Sequence, residues 1–243
     1  MTAIATATAT APPARRQGGP PLLVPVLAYG ALMVAAVILS ATSPQPSASA
    51  VSVLVYDRGH HDALELAGCL GFAASLPLAV WTATVYRQLR TRLGVTAPGA
   101  VIGLAGGLLA AASLGLTGLV NWTNAQAPAG GDPAAARMLA DLSFATGSAG
   151  FVAPLGLLIA GIAVPALILR LLPRPLAWAG LVIALASAAS TFALLTSALD
   201  FTLPVGRFLG LAWLIAASVA LPVSRRPASG TPASPSRVLP TPA

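Results

Sequence analysis

Six apolar runs alternate with short polar or proline-rich stretches along this chain. About 20 apolar residues at ~1.5 Å rise cover a ~30 Å hydrocarbon core as a helix. The pattern predicts crossings at about 22–41, 63–90, 98–121, 149–170, 175–198 and 204–221. Asp62 and Glu65 have the spacing of a capping box at the start of the second. Pro77 should kink that helix, and Tyr86, Arg87, Arg90 and Arg92 carry its end out of the bilayer. In the first loop Val51 to Tyr56 is apolar but too short to cross, and is expected at the interface or on the bundle. Residues 133–171 would extend over about 50 Å as one helix, too long for one straight crossing. Gly147-Ser148-Ala149-Gly150 is the natural break, leaving a short outer helix over Ala134 to Thr146 before a fourth crossing bent by Pro154 and Pro165. The connection from Arg170 to Arg174 is so short that the fourth and fifth crossings must form an antiparallel hairpin.

Small residues mark faces where backbones can approach. Gly103, Gly107, Ala111 and Gly115 recur every fourth residue, so the third crossing is expected to be central, with the others packed on it. Gly180, Ala184 and Ala188 form a similar ridge in the fifth. The stretch from Ile102 loosely echoes that from Leu209, which would place an inverted repeat of three plus three helices.

Composition turns these runs into a membrane assignment. Hydrophobic residues make up 56% of the 243 and charged ones only 8%, against ~25% in soluble domains. The net charge of +7 would otherwise raise nucleic acid as a partner, but every basic residue is Arg and most flank apolar runs. Expected partners are therefore membrane lipids, with a second copy of the chain or another membrane protein as further candidates, and not nucleic acid. The Arg, Ala, Gly and Pro load suggests a GC-rich bacterial genome. Ten arginines (15, 16, 87, 90, 92, 170, 174, 225, 226 and 237) fall on one side of a six-crossing topology and three (58, 137 and 207) on the other, so both termini are expected to be cytoplasmic in the cell membrane. All six acidic residues fall on the outer side or in outer helix ends. Residues 1–20 and 223–243 read as disordered cytoplasmic segments around a membrane domain of 21–222. Arg15-Arg16 before an apolar run imitates a cleaved signal, but the run is too long for a signal core, so the first helix is expected to stay. The lone Cys69 excludes an intrachain disulfide.

Candidate chemistry lies in the outer charges. Asp200 follows the fifth crossing and Arg207 opens the sixth, each opposing its helix dipole, so an ion pair between them would relieve both. A structural clamp is the plainer reading. The sharper one is a ligand site between the outer helix ends, formed by Glu65, Arg137, Asp141, Asp200 and Arg207. Arg137 and Asp141 stand four apart and can pair on one helix face. Asp57, His60 and His61, with Asp62 and Glu65 beside them, could hold a divalent metal, but their spacing matches no recognised site and a solvated loop is the plainer reading. No HExxH, GxSxG or P-loop is present, and neither a catalytic residue nor a cofactor is expected. Ser187, Ser190, Thr191 and Thr196 are expected to bond to their own helix backbone. Asn121-Trp122-Thr123 fits the glycosylation pattern, but Trp122 reads better as an interfacial residue.

The stretches Leu142 to Leu158, Leu171 to Ala184 and Leu203 to Ala217 resemble a family of bacterial six-helix membrane proteins grouped as a domain of unknown function. The resemblance covers most of the helical region and implies a six-helix integral membrane protein, with no activity and no catalytic residues. The sequence thus reads as an all-α membrane protein, a bundle of six transmembrane helices plus a short outer helix. Its expected role is non-enzymatic: structural, sensory or accessory. The alternatives are a small-solute or lipid transporter with its site between the outer helix ends, and a metal- or redox-linked membrane enzyme.

Overall fold

The computed structural model describes residues 21–44, 48–92, 98–126, 131–195 and 202–221. Both terminal segments, Thr196 and Asp200 lie outside the described residues. Among the described residues every regular element is helical: α1 (Leu23–Leu39), α2 (Ala50–Gly59), α3 (His61–Arg87), α4 (Pro98–Gln126), α5 (Pro133–Gly147), α6 (Ala149–Ile168), α7 (Arg174–Ala189), α8 (Thr202–Pro204) and α9 (Gly210–Ala220). A π turn, Gln88–Arg92, extends α3, a 3-10 turn, Ser190–Leu194, extends α7, and a second π turn, Val205–Leu209, joins α8 to α9. Four helical stretches, containing α3, α4, α5–α6 and α7, are long and apolar enough to cross a membrane; α1 and Val205–Ala220 are shorter apolar helices.

Six of these elements enclose one apolar core. α4 packs against α3 on one side and α6 on the other, α1 lies on α3, α7 lies on α6, and α9 closes against α1, α6 and α7. Trp81, Leu78, Tyr29, Phe151, Leu155, Ile159 and Leu214 fill the middle with almost no exposure. Two indole N–H groups pin α9 into place. Trp81 donates to Ser218 Oγ at 2.9 Å and Trp213 to the Leu176 carbonyl at 2.8 Å.

The glycine face of α4 splits into two seams. A Cβ at Gly107 would overlap the Thr82 side chain of α3, and one at Gly118 the backbone at Gly68 and Phe72. On the other side Gly103 meets Gly161 of α6 backbone to backbone. The ridge was expected to make α4 the centre. α4 does pack against α3, α5 and α6, as that ridge predicts, while α6 is the more deeply buried helix, with 12 of its 20 residues buried against 12 of 29 in α4. An all-apolar helix loses nothing by being surrounded. In α7 the ridge turns at its end: Gly180 lies under the Trp213 ring, but Ser187, not Ala188, is buried, packed against Gly156 and Gly206.

Local signals explain most boundaries. Asp132 accepts from the Ala134 N–H at 2.9 Å ahead of Pro133, a good helix start. The α5–α6 break falls at Ser148, inside the expected glycine-rich stretch. α6 ends with Arg170 at φ 52° and the Leu171 N–H on the Ala166 carbonyl, the Schellman geometry that starts the tight hairpin to α7. The expected capping box fails: α3 begins at His61, two residues early, and His60 makes no side-chain cap. Asp62 is left inside the first turn, where its charge still suits the dipole. α4 runs to Gln126, five residues beyond its expected end. Nothing in Trp122-Thr123-Asn124-Ala125 breaks a helix, and Ala127 is the residue that precedes a proline. The apolar patch in the first loop is the helix α2, capped by Ser49. Val53 and Leu54 pack on Ala136 of α5, so α2 and α5 form a canopy over one end of the bundle.

A polar cavity beneath the canopy

The canopy and the bundle enclose a cavity of about 390 Å³. Its walls come from the segment after α1 (Ser40, Ser43), from α2 (Val53, Asp57), from α4 (Thr117, Asn121, Asn124), from α5 (Arg137, Asp141, Phe144) and from the start of the last helix (Leu203, Arg207, Phe208). Thr117, Asn121 and Asn124 follow helical spacing and form a polar stripe on an otherwise apolar helix. α5 runs antiparallel beside that stripe. The Thr117 and Thr146 hydroxyls are 2.9 Å apart, and Ser143 Oγ donates to Asn121 Oδ1.

At the canopy end Asn124 Nδ2 donates to Asp57 Oδ2 at 2.9 Å. Both side chains are buried, and Asn124 Oδ1 has no partner among the described residues. Burial raises the Asp57 pKa, and the Asn124 hydrogen bond only partly opposes it. Asp57 is therefore a buried acid–amide partner and not the solvated loop residue expected from its neighbours.

At the bundle end Arg207 occupies the π turn Val205–Leu209, a helix distortion that recurs at functional sites. Its guanidinium donates to the Gly147 carbonyl, the last of α5, and lies 5.5 Å from the Phe151 ring centroid. The expected dipole conflict at Arg207 is thus met by the C-terminus of a different helix, where a cation is favoured. Asp200, its expected partner, lies outside the described residues. Ser148 Oγ, next to that carbonyl, is buried without a partner among the described residues.

The other expected site residues divide. Arg137 and Asp141 line the cavity and pair at 3.0 Å, and Arg137 also donates to the Ala48 carbonyl, which ties α5 to the start of α2. Glu65 is not among the lining residues: it accepts from Gln126 Nε2 at 3.3 Å and lies 3.7 Å from His61 Nε2. Asp57, His60 and His61 point to separate partners. His60 stacks on Tyr56 with ring centroids 4.2 Å apart, and His61 Nδ1 is 2.8 Å from the Ala125 carbonyl. Among the described residues no three His, Cys, Asp or Glu side chains come together as a metal-binding group. Ser190 Oγ bonds back to the Ser187 carbonyl at 2.6 Å as expected, but Ser187 Oγ is buried without a partner.

Comparison of the chain with protein-family models, with curated proteins and with solved structures returns no match.

Proposed function

We propose that the chain crosses a bacterial cell membrane six times with both termini cytoplasmic, and that it binds a small ligand in the cavity at its outer end. Its role is sensory or accessory and not enzymatic. Membership of the six-helix family it resembles is part of the same reading. α1 and Val205–Ala220, with 17 and 16 residues, reach roughly 24–26 Å, close to the ~30 Å core once flanking turns are added. Arg87, Arg90, Arg170 and Arg174 lie at the end away from the canopy, which supports a cytoplasmic assignment for that end.

The observation that carries the binding role is the cavity itself. Polar groups from α2, α4, α5 and the start of the last helix converge on it, and the next turns of α6 below, Phe151, Leu155 and Ile159, are packed solid. A closed apolar interior under a largely apolar cavity with a few converging polar groups suits capture of a ligand better than its passage. Transport is the second reading, favoured by one observation: the hydroxyls of Tyr29, Thr82 and Ser187 are buried without partners inside the bundle.

Two measurements test this. In a Cys69→Ser background, cysteines placed at Ser52 and Ala134 should react with an impermeant reagent on intact cells, and cysteines at Thr91 and Arg174 should not. Reaction of the second pair would overturn the topology. Reconstituted protein should bind ligand without moving it across the vesicle wall, and solute flux would shift the assignment to the second reading.

A further inference from the structure

The charge of the cavity narrows its ligand, an inference that rests on the binding role above. Arg137 and Asp141 cancel each other at 3.0 Å, and Asp57 is engaged by Asn124. Arg207 has no carboxylate partner within 4.0 Å among the described residues. Among them it meets the Gly147 carbonyl, the Phe151 face and the nearby Tyr29 side chain. A guanidinium has five donors in a planar fork, and one carbonyl does not use them. Beside it Ser148, 7% exposed, has a hydroxyl without a partner. A fork and a hydroxyl in a half-buried setting match a carboxylate or phosphate group. The nearby walls are apolar: Leu203, Phe208 and Phe144.

We infer that the cavity binds a small amphiphilic anion, its carboxylate or phosphate head held by the Arg207 guanidinium and the Ser148 hydroxyl, its apolar body against Leu203, Phe208 and Phe144. Such a head group has two sources, a water-soluble organic acid or an acidic lipid of the surrounding leaflet.

The test uses full-length protein in phosphatidylcholine nanodiscs, titrated calorimetrically with benzoate, benzyl alcohol and benzylamine against empty discs. Benzoate should bind at least about tenfold more tightly than the other two, since a hydrogen bond to a charged group is worth that much or more. Ser148→Ala should weaken benzoate about tenfold and leave the melting temperature unchanged, because its hydroxyl bonds to nothing among the described residues. Arg207→Lys should keep part of the preference and Arg207→Gln lose it. If Arg207→Gln fails to fold, the other two variants carry the test. Discs containing phosphatidylglycerol identify the source: retained lipid and weakened benzoate mark a lipid head group, unchanged affinity a soluble acid. Equal binding of benzoate and benzyl alcohol would overturn the anion assignment and leave the cavity a binding site. Silence from all three compounds, with no lipid retained, would overturn both.

Discussion

Asn124 gives its side-chain amide to a carboxylate oxygen of Asp57 at 2.9 Å, across 67 residues of chain, and so fastens the canopy to α4. Both residues are at least nine-tenths buried, although each borders the cavity. Removing one partner of such a pair leaves the other desolvated and unmatched.

The pair should make stability depend on pH. The Asp57 pKa is raised above its ordinary 3.8, so the folded chain holds this proton more tightly than the unfolded one. The contribution is complete below that ordinary value and is lost as pH rises through it to the raised one. Melting curves in detergent from about pH 4 to pH 8 should therefore show stability declining, with a flatter profile for Asp57→Asn. Parallel profiles for the two proteins would rule out a titrating Asp57. At a fixed acidic pH, Asn124→Ala should cost ~1–3 kcal/mol.

Gly107→Leu should abolish assembly, because the new side chain meets Thr82 of α3 with no room to turn. Overpacking a tight interior typically costs ~1–3 kcal/mol even where neighbours can shift. Leu109, on the exposed face of the same helix, should accept Ile with little effect. Monodispersity after extraction reads the difference, and equal behaviour of the two variants would mean that the seam organises nothing.

The two arginines of the cavity should differ. A double-mutant cycle on Arg137→Gln and Asp141→Asn should give only ~0.2–0.5 kcal/mol of coupling, since Asp141 is exposed. Arg207→Gln removes a cation from the end of α5 and should cost ~0.3–2 kcal/mol. Chemical denaturation of the variants side by side ranks them, and a coupling above the cost of Arg207→Gln would reverse the assignment of weight.

What the sequence displayed was local. The apolar runs, the break at Ser148 and the hairpin at Arg170 each depend on a few neighbouring residues, and the helices lie close to where those signals put them. Arg137, Asp141 and Arg207 were legible as a polar group because charge is scarce in this chain. Asp57 was misread because its environment is made by Asn124, and no spacing rule links residues so far apart. One signal went unused: Thr117, Asn121 and Asn124 share a helical face, and that stripe marks where α4 meets something polar. The π turn that carries Arg207 has no signal in Leu203-Pro204-Val205; only Gly206 hints at the close approach there to Val152 and Ser187.

The glycine seams also order the events of biosynthesis. α3, α4 and α6 touch through backbone and are contiguous between His61 and Ile168, so the tightest part of the molecule is complete in the nascent chain before α7 is translated. The canopy helices α2 and α5 fall within or beside the same stretch. Arg207 does not. Leu203, Arg207 and Phe208 reach the cavity only when the helix that carries them docks, so its wall is completed after the seams have closed.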